Sequence, residues 1–200
     1  MEFKEYQHIQ KLGISEVDGI LNGKCYISYK IDGTNSCVFL KDDGSLGFGS
    51  RHKEVTKDSD QTGFVPGILS DIKTYNNLLK FLCLHPNSIV YGEWLTGVYI
   101  KRYKPEAKKK FYIFDIFDFK IQKYISFDDY SSELDNFELL YIPCLAIINN
   151  PTVEDLKALL KDTRNYLITS GLGEGIVIKN YDFVNSEGNT VWAKMLTEDY

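Results

Sequence analysis

Lys30-Ile31-Asp32-Gly33-Thr34-Asn35 is the stretch on which the reading of this chain turns. It closes the run Lys24 to Lys30 (KCYISYK), whose alternation reads as a strand with Tyr26, Ser28 and Lys30 on one face and Cys25, Ile27 and Tyr29 on the other. Asp32 to Asn35 reads as a tight turn that reverses the chain, with Gly33 supplying backbone freedom. A lysine fixed at a strand end beside such a turn is held more rigidly than a surface lysine. It can serve as a nucleophile where desolvation or neighbouring cations favour the neutral amine. The plain alternative is a solvated lysine before an ordinary hairpin, and the hexapeptide alone leaves both readings open.

Working outward, Ser36 to Lys41 reads as a second strand, Asp42-Asp43-Gly44-Ser45 as a hairpin turn, and Leu46 to Ser50 as the returning strand that delivers Ser50-Arg51. Residues 67–85 carry Ile68, Ile72, Tyr75, Leu79 and Leu82 at three- and four-residue steps before Pro86, which predicts one helix. Ser88 to Leu95 (SIVYGEWL) and Phe111 to Phe119 (FYIFDIFDF) read as strands. The second is apolar on both faces apart from Asp115 and Asp118, as a doubly covered central strand would be. Thr152, with Asp155 three residues on, predicts the N-cap of a further helix whose inner face is Val153, Leu156, Leu159 and Leu160. Gly173-Glu174-Gly175 leads into a strand ending at Lys179, and a last strand, Thr190 to Leu196, carries Lys194. Residues 1–23 read as a leading segment packed on the domain. With no internal repeat and no dividing linker, the expectation is one α+β domain over residues 1–200, antiparallel sheets flanked by helices.

The 200 residues are enough to bury a core, and 44% hydrophobic with 26% charged residues is the balance of an ordinary water-soluble fold. No apolar run is long enough to span a bilayer, and the N-terminus shows no signal-peptide pattern. Cys25, Cys37, Cys83 and Cys144 are scattered, which favours reduced thiols and a cytoplasmic setting over disulfides or structural zinc. His8, His52 and His85 form no motif. The net charge of −5 argues against non-specific nucleic-acid binding. Lys101 to Lys110 (KRYKPEAKKK) is the local exception, either a solvated loop or a phosphate-binding surface.

Taken in order, KIDGTN at 30, SR at 50, YGEWL at 91, FYIFD at 111, EGIVIK at 174 and WAK at 192 form a set that resembles the covalent nucleotidyltransferases: RNA ligases, DNA ligases and mRNA capping enzymes. The Thr-Asn ending of the first motif, with the SR, GEW and FYIFD segments, is most similar to RNA ligases. The resemblance implies a nucleotidyltransferase fold, the ATP-grasp-like adenylation domain of ligases, and an activity. A lysine takes AMP from ATP, passes it to a 5′-phosphate RNA end, and that end is joined to a 3′-hydroxyl with release of AMP. It implies ATP and Mg2+ or Mn2+ as cofactors.

By motif, the resemblance makes Lys30 the nucleophile. It places Lys179 and Lys194 at the triphosphate, Glu93 on the ribose, Arg51 on ribose or phosphate, and Asn35 at the phosphate or its hydrated metal. Phe114 would stack on the base, and Glu174, with Asp115, would serve the metal. Plain readings stand beside these: Glu93 and Glu174 as surface charges, Phe114 as core, Asp115 as a structural partner and Arg51 as solvated.

The last motif departs from the family pattern of two lysines separated by one residue, since Lys194 is flanked at that spacing by Trp192 and Leu196, which leaves the register of the motif open. The chain stops at Tyr200, just past that motif, where many members continue into a C-terminal domain, often an OB-fold. No such domain fits here, so the expectation is either a minimal ligase or one that relies on a separate RNA-binding partner or domain. The rival readings are a DNA ligase core, a GTP-using capping enzyme core, and a non-catalytic nucleotide- or RNA-binding relative that has kept the pocket.

Overall fold

A computed structural model describes residues 3–96, 103–161 and 167–197. In chain order the strands are β1 (Ile9–Lys11), β2 (Lys24–Lys30), β3 (Thr34–Leu40), β4 (Leu46–Ser50), β5 (Glu54–Val55), β6 (Ser88–Trp94), β7 (Phe111–Asp118), β8 (Lys123–Tyr124), β9 (Cys144–Asn149), β10 (Gly175–Lys179) and β11 (Trp192–Leu196). The helices are α1 (Phe64–Ser70), α2 (Ile72–Leu84), α3 (Phe127–Asn136) and α4 (Val153–Lys161). The fold is α+β, as expected, and divides into two compact units.

The first unit takes residues 3–6, 32–96 and 105–142. Its sheet runs β5-β4-β3-β6-β7-β8, antiparallel throughout. One face carries Val38, Phe48, Val90, Trp94, Phe111, Ile113 and Ile116 into a core closed by Phe64, Ile68, Leu78, Phe81, Leu82 and Leu134 of the helices. On β7 the apolar residues of the other face are covered too. Tyr6 packs its ring 5.0 Å from that of Phe114 and 4.9 Å from that of Tyr91. The strand that reads as apolar on both faces is thus covered on both.

The single helix expected over residues 67–85 is two helices, broken at Asp71. The Asp71 carboxylate accepts from the backbone N–H and hydroxyl of Thr74, capping α2 and competing with helix continuation at that point. The break also rotates the inner face to Leu78, Phe81 and Leu82, leaving Ile72 70% exposed. Helix α3, not among the expected elements, is capped by Ser126, whose hydroxyl accepts from the N–H of Asp129.

The second unit takes residues 7–31, 103–104, 143–161 and 167–197, with a sheet ordered β1-β11-β10-β2-β9. Every pairing in it is antiparallel except that of β1 with β11. Cys25, Ile27, Ile176, Ile178 and Ala193 point to one face and build a core with Val17, Ile20 and Leu156. The cap expected at Thr152 forms in both directions. The Asp155 N–H donates to the Thr152 hydroxyl, and the Thr152 N–H donates to the Asp155 carboxylate. Leu156 of that helix is buried as expected, whereas Val153 is exposed.

β2 and β3 therefore do not form the hairpin that the turn reading of residues 32–35 predicts. They belong to different sheets, and Thr34 and Asn35 already lie in β3. All four cysteines are free. Among the described residues no helix is long and apolar enough to cross a membrane.

Candidate active site

Alternation along β2 puts Lys30, Ser28 and Tyr26 on the face opposite the second unit's core. The antiparallel register sets Gly175 across from Lys30, Val177 across from Ser28 and Lys179 across from Tyr26. On the next strand Lys194 lies across from Val177. Partners in register share a face, so Lys30, Lys179 and Lys194 rise from the same side of one sheet, away from the apolar core.

Gly175 is required where it stands. A Cβ there would collide with the backbone of Met195 and Leu196, and the missing side chain leaves open the position facing Lys30. The residue before it, Glu174, is anchored through its backbone carbonyl, which accepts from the N–H of Thr197 at 3.0 Å. Its carboxylate Oε1 lies 2.7 Å from Lys30 Nζ, with the two side chains 14% and 21% exposed. A contact this short between groups so far removed from water is an ion pair and a charge-assisted hydrogen bond together. Glu174 is no loose surface charge.

Lys179 is 5% exposed, and its Nζ lies 5.9 Å from the centre of the Trp192 ring. Trp192 is itself fully buried and meets Tyr181 edge-on at 5.2 Å. Trp192, one of the two residues that flank Lys194 at a spacing of two, is thus an aromatic platform for Lys179, a cation–π arrangement.

The other candidates lie on the first unit. Asn35 and Glu93 face each other across β3 and β6, and Arg51 follows Ser50, the partner of Ser36. Glu93 Oε1 accepts the N–H of Gly33 at 2.9 Å, three residues beyond Lys30. Gly33 is not a glycine for the sake of left-handed backbone. A Cβ there would stand 2.5 Å from the carbonyl oxygen of Trp94 and 3.0 Å from the Glu93 side chain, so only a bare Cα fits.

On β7 the register shifts between Tyr91 and Gly92, whose partners are Asp115 and Ile113; Phe114 is the extra residue of a bulge. Its ring is partly exposed, and its carbonyl accepts from the Tyr130 hydroxyl at 3.0 Å. Asp115 is 0% exposed and accepts the Tyr6 hydroxyl at 2.5 Å. The aspartate expected at the metal is thus fully buried, with Tyr6 donating to one of its carboxylate oxygens. Tyr6, the residue that closes it, was not legible from any motif.

Each unit, taken by itself, holds a buried oxygen suited to a divalent cation. Glu174 Oε2 and Asn35 Oδ1 are buried and accept no hydrogen bond among the described residues. Oxygen acceptors left open in this way suit a hard cation or its bound water. Among the described residues no three His, Cys, Asp or Glu side chains converge on a metal position. Lys101 and Arg102 of the basic run lie outside the described residues.

The sequence model of the RNA ligase family matches residues 23–196. The chain belongs to the RNA ligase family. Solved structures agree in fold. A mutant of Naegleria gruberi RNA ligase with ATP and Mn superposes with a TM-score of 0.70 at 20% identity, over 99% of this chain and 57% of that one. The same ligase with PPi gives 0.70 at 23% identity, over 99% and 57%. An archaeal ATP-dependent RNA ligase gives 0.72 at 13% identity, over 98% and 48%. This RNA ligase family member thus spans about half the length of the solved chains it resembles. No curated protein matches it.

Proposed function

We propose that this chain is the adenylation core of an ATP-dependent RNA ligase. On this reading it charges Lys30 with AMP, passes AMP to a 5′-phosphate RNA end, and promotes joining of that end to a 3′-hydroxyl. The observation that carries the reading is Lys30 at a strand end, paired with Glu174 at 2.7 Å, on a sheet face it shares with Lys179 and Lys194. A plain nucleotide-binding pocket has no need of a nucleophile held in this way. Family membership supports the reading, as do the relatives with ATP and Mn and with PPi.

In the first step Lys30, held against Glu174 as the ammonium, gives up a proton to solvent and attacks the α-phosphorus of ATP as the neutral amine. A P–N bond forms, the P–O bond to the β-phosphate breaks, and pyrophosphate leaves with the bonding electrons. Glu174 orients the amine before the nucleotide arrives. Lys179 and Lys194 offset charge on the phosphates, and the Trp192 ring fixes where Lys179 can point. Glu93 fixes the backbone just beyond the nucleophile through Gly33, with Asn35 facing it across the sheet. Phe114, propped by Tyr6, offers a ring for the base, and Arg51 a cation for ribose or phosphate. A divalent cation, when bound, would neutralise phosphate charge, with Glu174 as the residue of the second unit that would hold it or its water.

The test is to offer labelled ATP and GTP separately, and then 5′-phosphate RNA and DNA strands at a nick and as free ends. The reading predicts an ATP-derived adduct and joined RNA. An adduct formed only with GTP, or joining only of DNA, would assign the core to a capping enzyme or a DNA ligase instead. Folded protein that binds ATP without forming any adduct would leave a non-catalytic binding module.

A further inference from the structure

The sheet brings a fourth lysine to the face that carries Lys30, Lys179 and Lys194. β1 joins the sheet beside β11 in parallel, with Lys11 in register with Lys194. Its neighbours in sequence settle which face it takes. Gln10 is in register with Ala193, a fully buried residue of the apolar core, and Leu12 packs against the same core. Lys11 therefore rises from the opposite face, the one that carries Lys30, Lys179 and Lys194.

Adjacent strands lie about 4.8 Å apart, so two ammonium-bearing side chains stand side by side at this edge. Lys11 is exposed, and among the described residues no carboxylate pairs with it. An anion of higher charge can bind both ammonium groups.

Resting on the reading above, we propose that Lys11 is a further phosphate-binding residue and that it holds the pyrophosphate end of the nucleotide. Its place in the sheet assigns the end. In the order β2-β10-β11-β1 it stands three strands across and two residues along from Lys30, roughly 16 Å at ordinary strand geometry, and one strand beyond Lys194. A group bonded to Lys30 Nζ at its α-phosphorus can meet Lys11 only through the phosphates that lead away from it. Lys11 thus serves the leaving group and makes no contact with the AMP that stays behind.

The experiment measures binding of inorganic tripolyphosphate and of AMP by titration calorimetry, beside the ATP dependence of adduct formation. The proteins are wild type, Lys11→Gln, Lys11→Arg and Lys157→Gln. Lys157 lies exposed on α4 and is the control for loss of one surface cation. The inference predicts that Lys11→Gln weakens tripolyphosphate by about fivefold to tenfold and raises the KM for ATP in parallel. AMP affinity stays within twofold, Lys11→Arg recovers most of the loss, and Lys157→Gln changes nothing. Equal tripolyphosphate affinity in wild type and Lys11→Gln would overturn it, as would a matching loss of AMP affinity. Absence of an adduct in wild type would strike the ligase reading, whereas the tripolyphosphate comparison judges Lys11 by itself.

Discussion

Glu174 Oε1 lies 2.7 Å from Lys30 Nζ, and the position directly opposite Lys30 in the sheet is held by Gly175, which has no side chain to crowd it. Glu174 stands in the bend one residue before β10, where the Thr197 N–H holds its backbone carbonyl. Glu174→Ala should slow lysyl-AMP formation by about 10–100-fold, in the range seen when a supporting partner of a reactive group is removed. Glu174→Gln, which keeps an acceptor but no charge, should fall between that variant and wild type. Single-turnover kinetics of adduct formation would show the order, and equal rates in all three would remove Glu174 from the account.

Gly33 is confined by the Trp94 carbonyl and the Glu93 side chain. Gly33→Ala must push one of them aside, at a cost of about 1–3 kcal/mol in stability. Because the Gly33 N–H is also the donor to Glu93, adduct formation should drop as well. Urea unfolding beside the adduct assay checks both, and an unaltered midpoint would mean that the backbone yields more easily than its contacts suggest.

Asp115 is enclosed and accepts from Tyr6. Tyr6→Phe keeps the ring against Phe114 and Tyr91 but removes the donor. The predicted loss is about 1.5–3 kcal/mol, the range for a hydrogen bond to a charged group. A midpoint equal to that of wild type would show that other groups satisfy this carboxylate.

Asp71 carries an acid-sensitive part of the first unit's stability. Partial burial disfavours its charged form, but the N–H and hydroxyl of Thr74, aided by Lys110, outweigh that and hold its carboxyl below the usual aspartate range. With the folded value lowered, the contribution is present above the unfolded value near 4 and is lost as pH falls through the folded one. Asp71→Ala should cost about 1 kcal/mol at neutral pH as a lost cap. Asp71→Asn keeps a capping oxygen without the charge. Its midpoint relative to wild type should therefore rise between pH 6 and pH 3, and a constant difference would contradict the assignment.

How much of this was legible in the sequence depended on how local the cause was. β2, the β3–β4 hairpin at Gly44, β6, β7 and the Thr152 cap lie close to where alternation and turn chemistry place them, because each is decided within a few residues. The partition of β2 and β3 into different sheets was not legible, since Asp32-Gly33 reads as a turn whether or not the flanking strands pair. The lysines at 30, 179 and 194 could be singled out by motif, but that they share a face is a property of register, and register is set by long-range pairing. Lys11 and Tyr6 carry no motif at all. Lys11 gains its meaning from a parallel partner more than 180 residues away, and Tyr6 from the aspartate it covers. Asp115 shows the converse, an acidic residue beside a motif aromatic whose environment, and not its spacing, decides what it can do.

The central claim is that Lys30 is the residue that becomes covalently charged. Its most direct test is the intact mass of the purified protein after incubation with ATP and magnesium, beside Lys30→Ala treated in the same way. The account predicts a gain of one AMP in wild type and none in the variant. An adduct that persists in Lys30→Ala would contradict the assignment of the nucleophile, and no adduct in either folded protein would contradict the ligase mechanism itself.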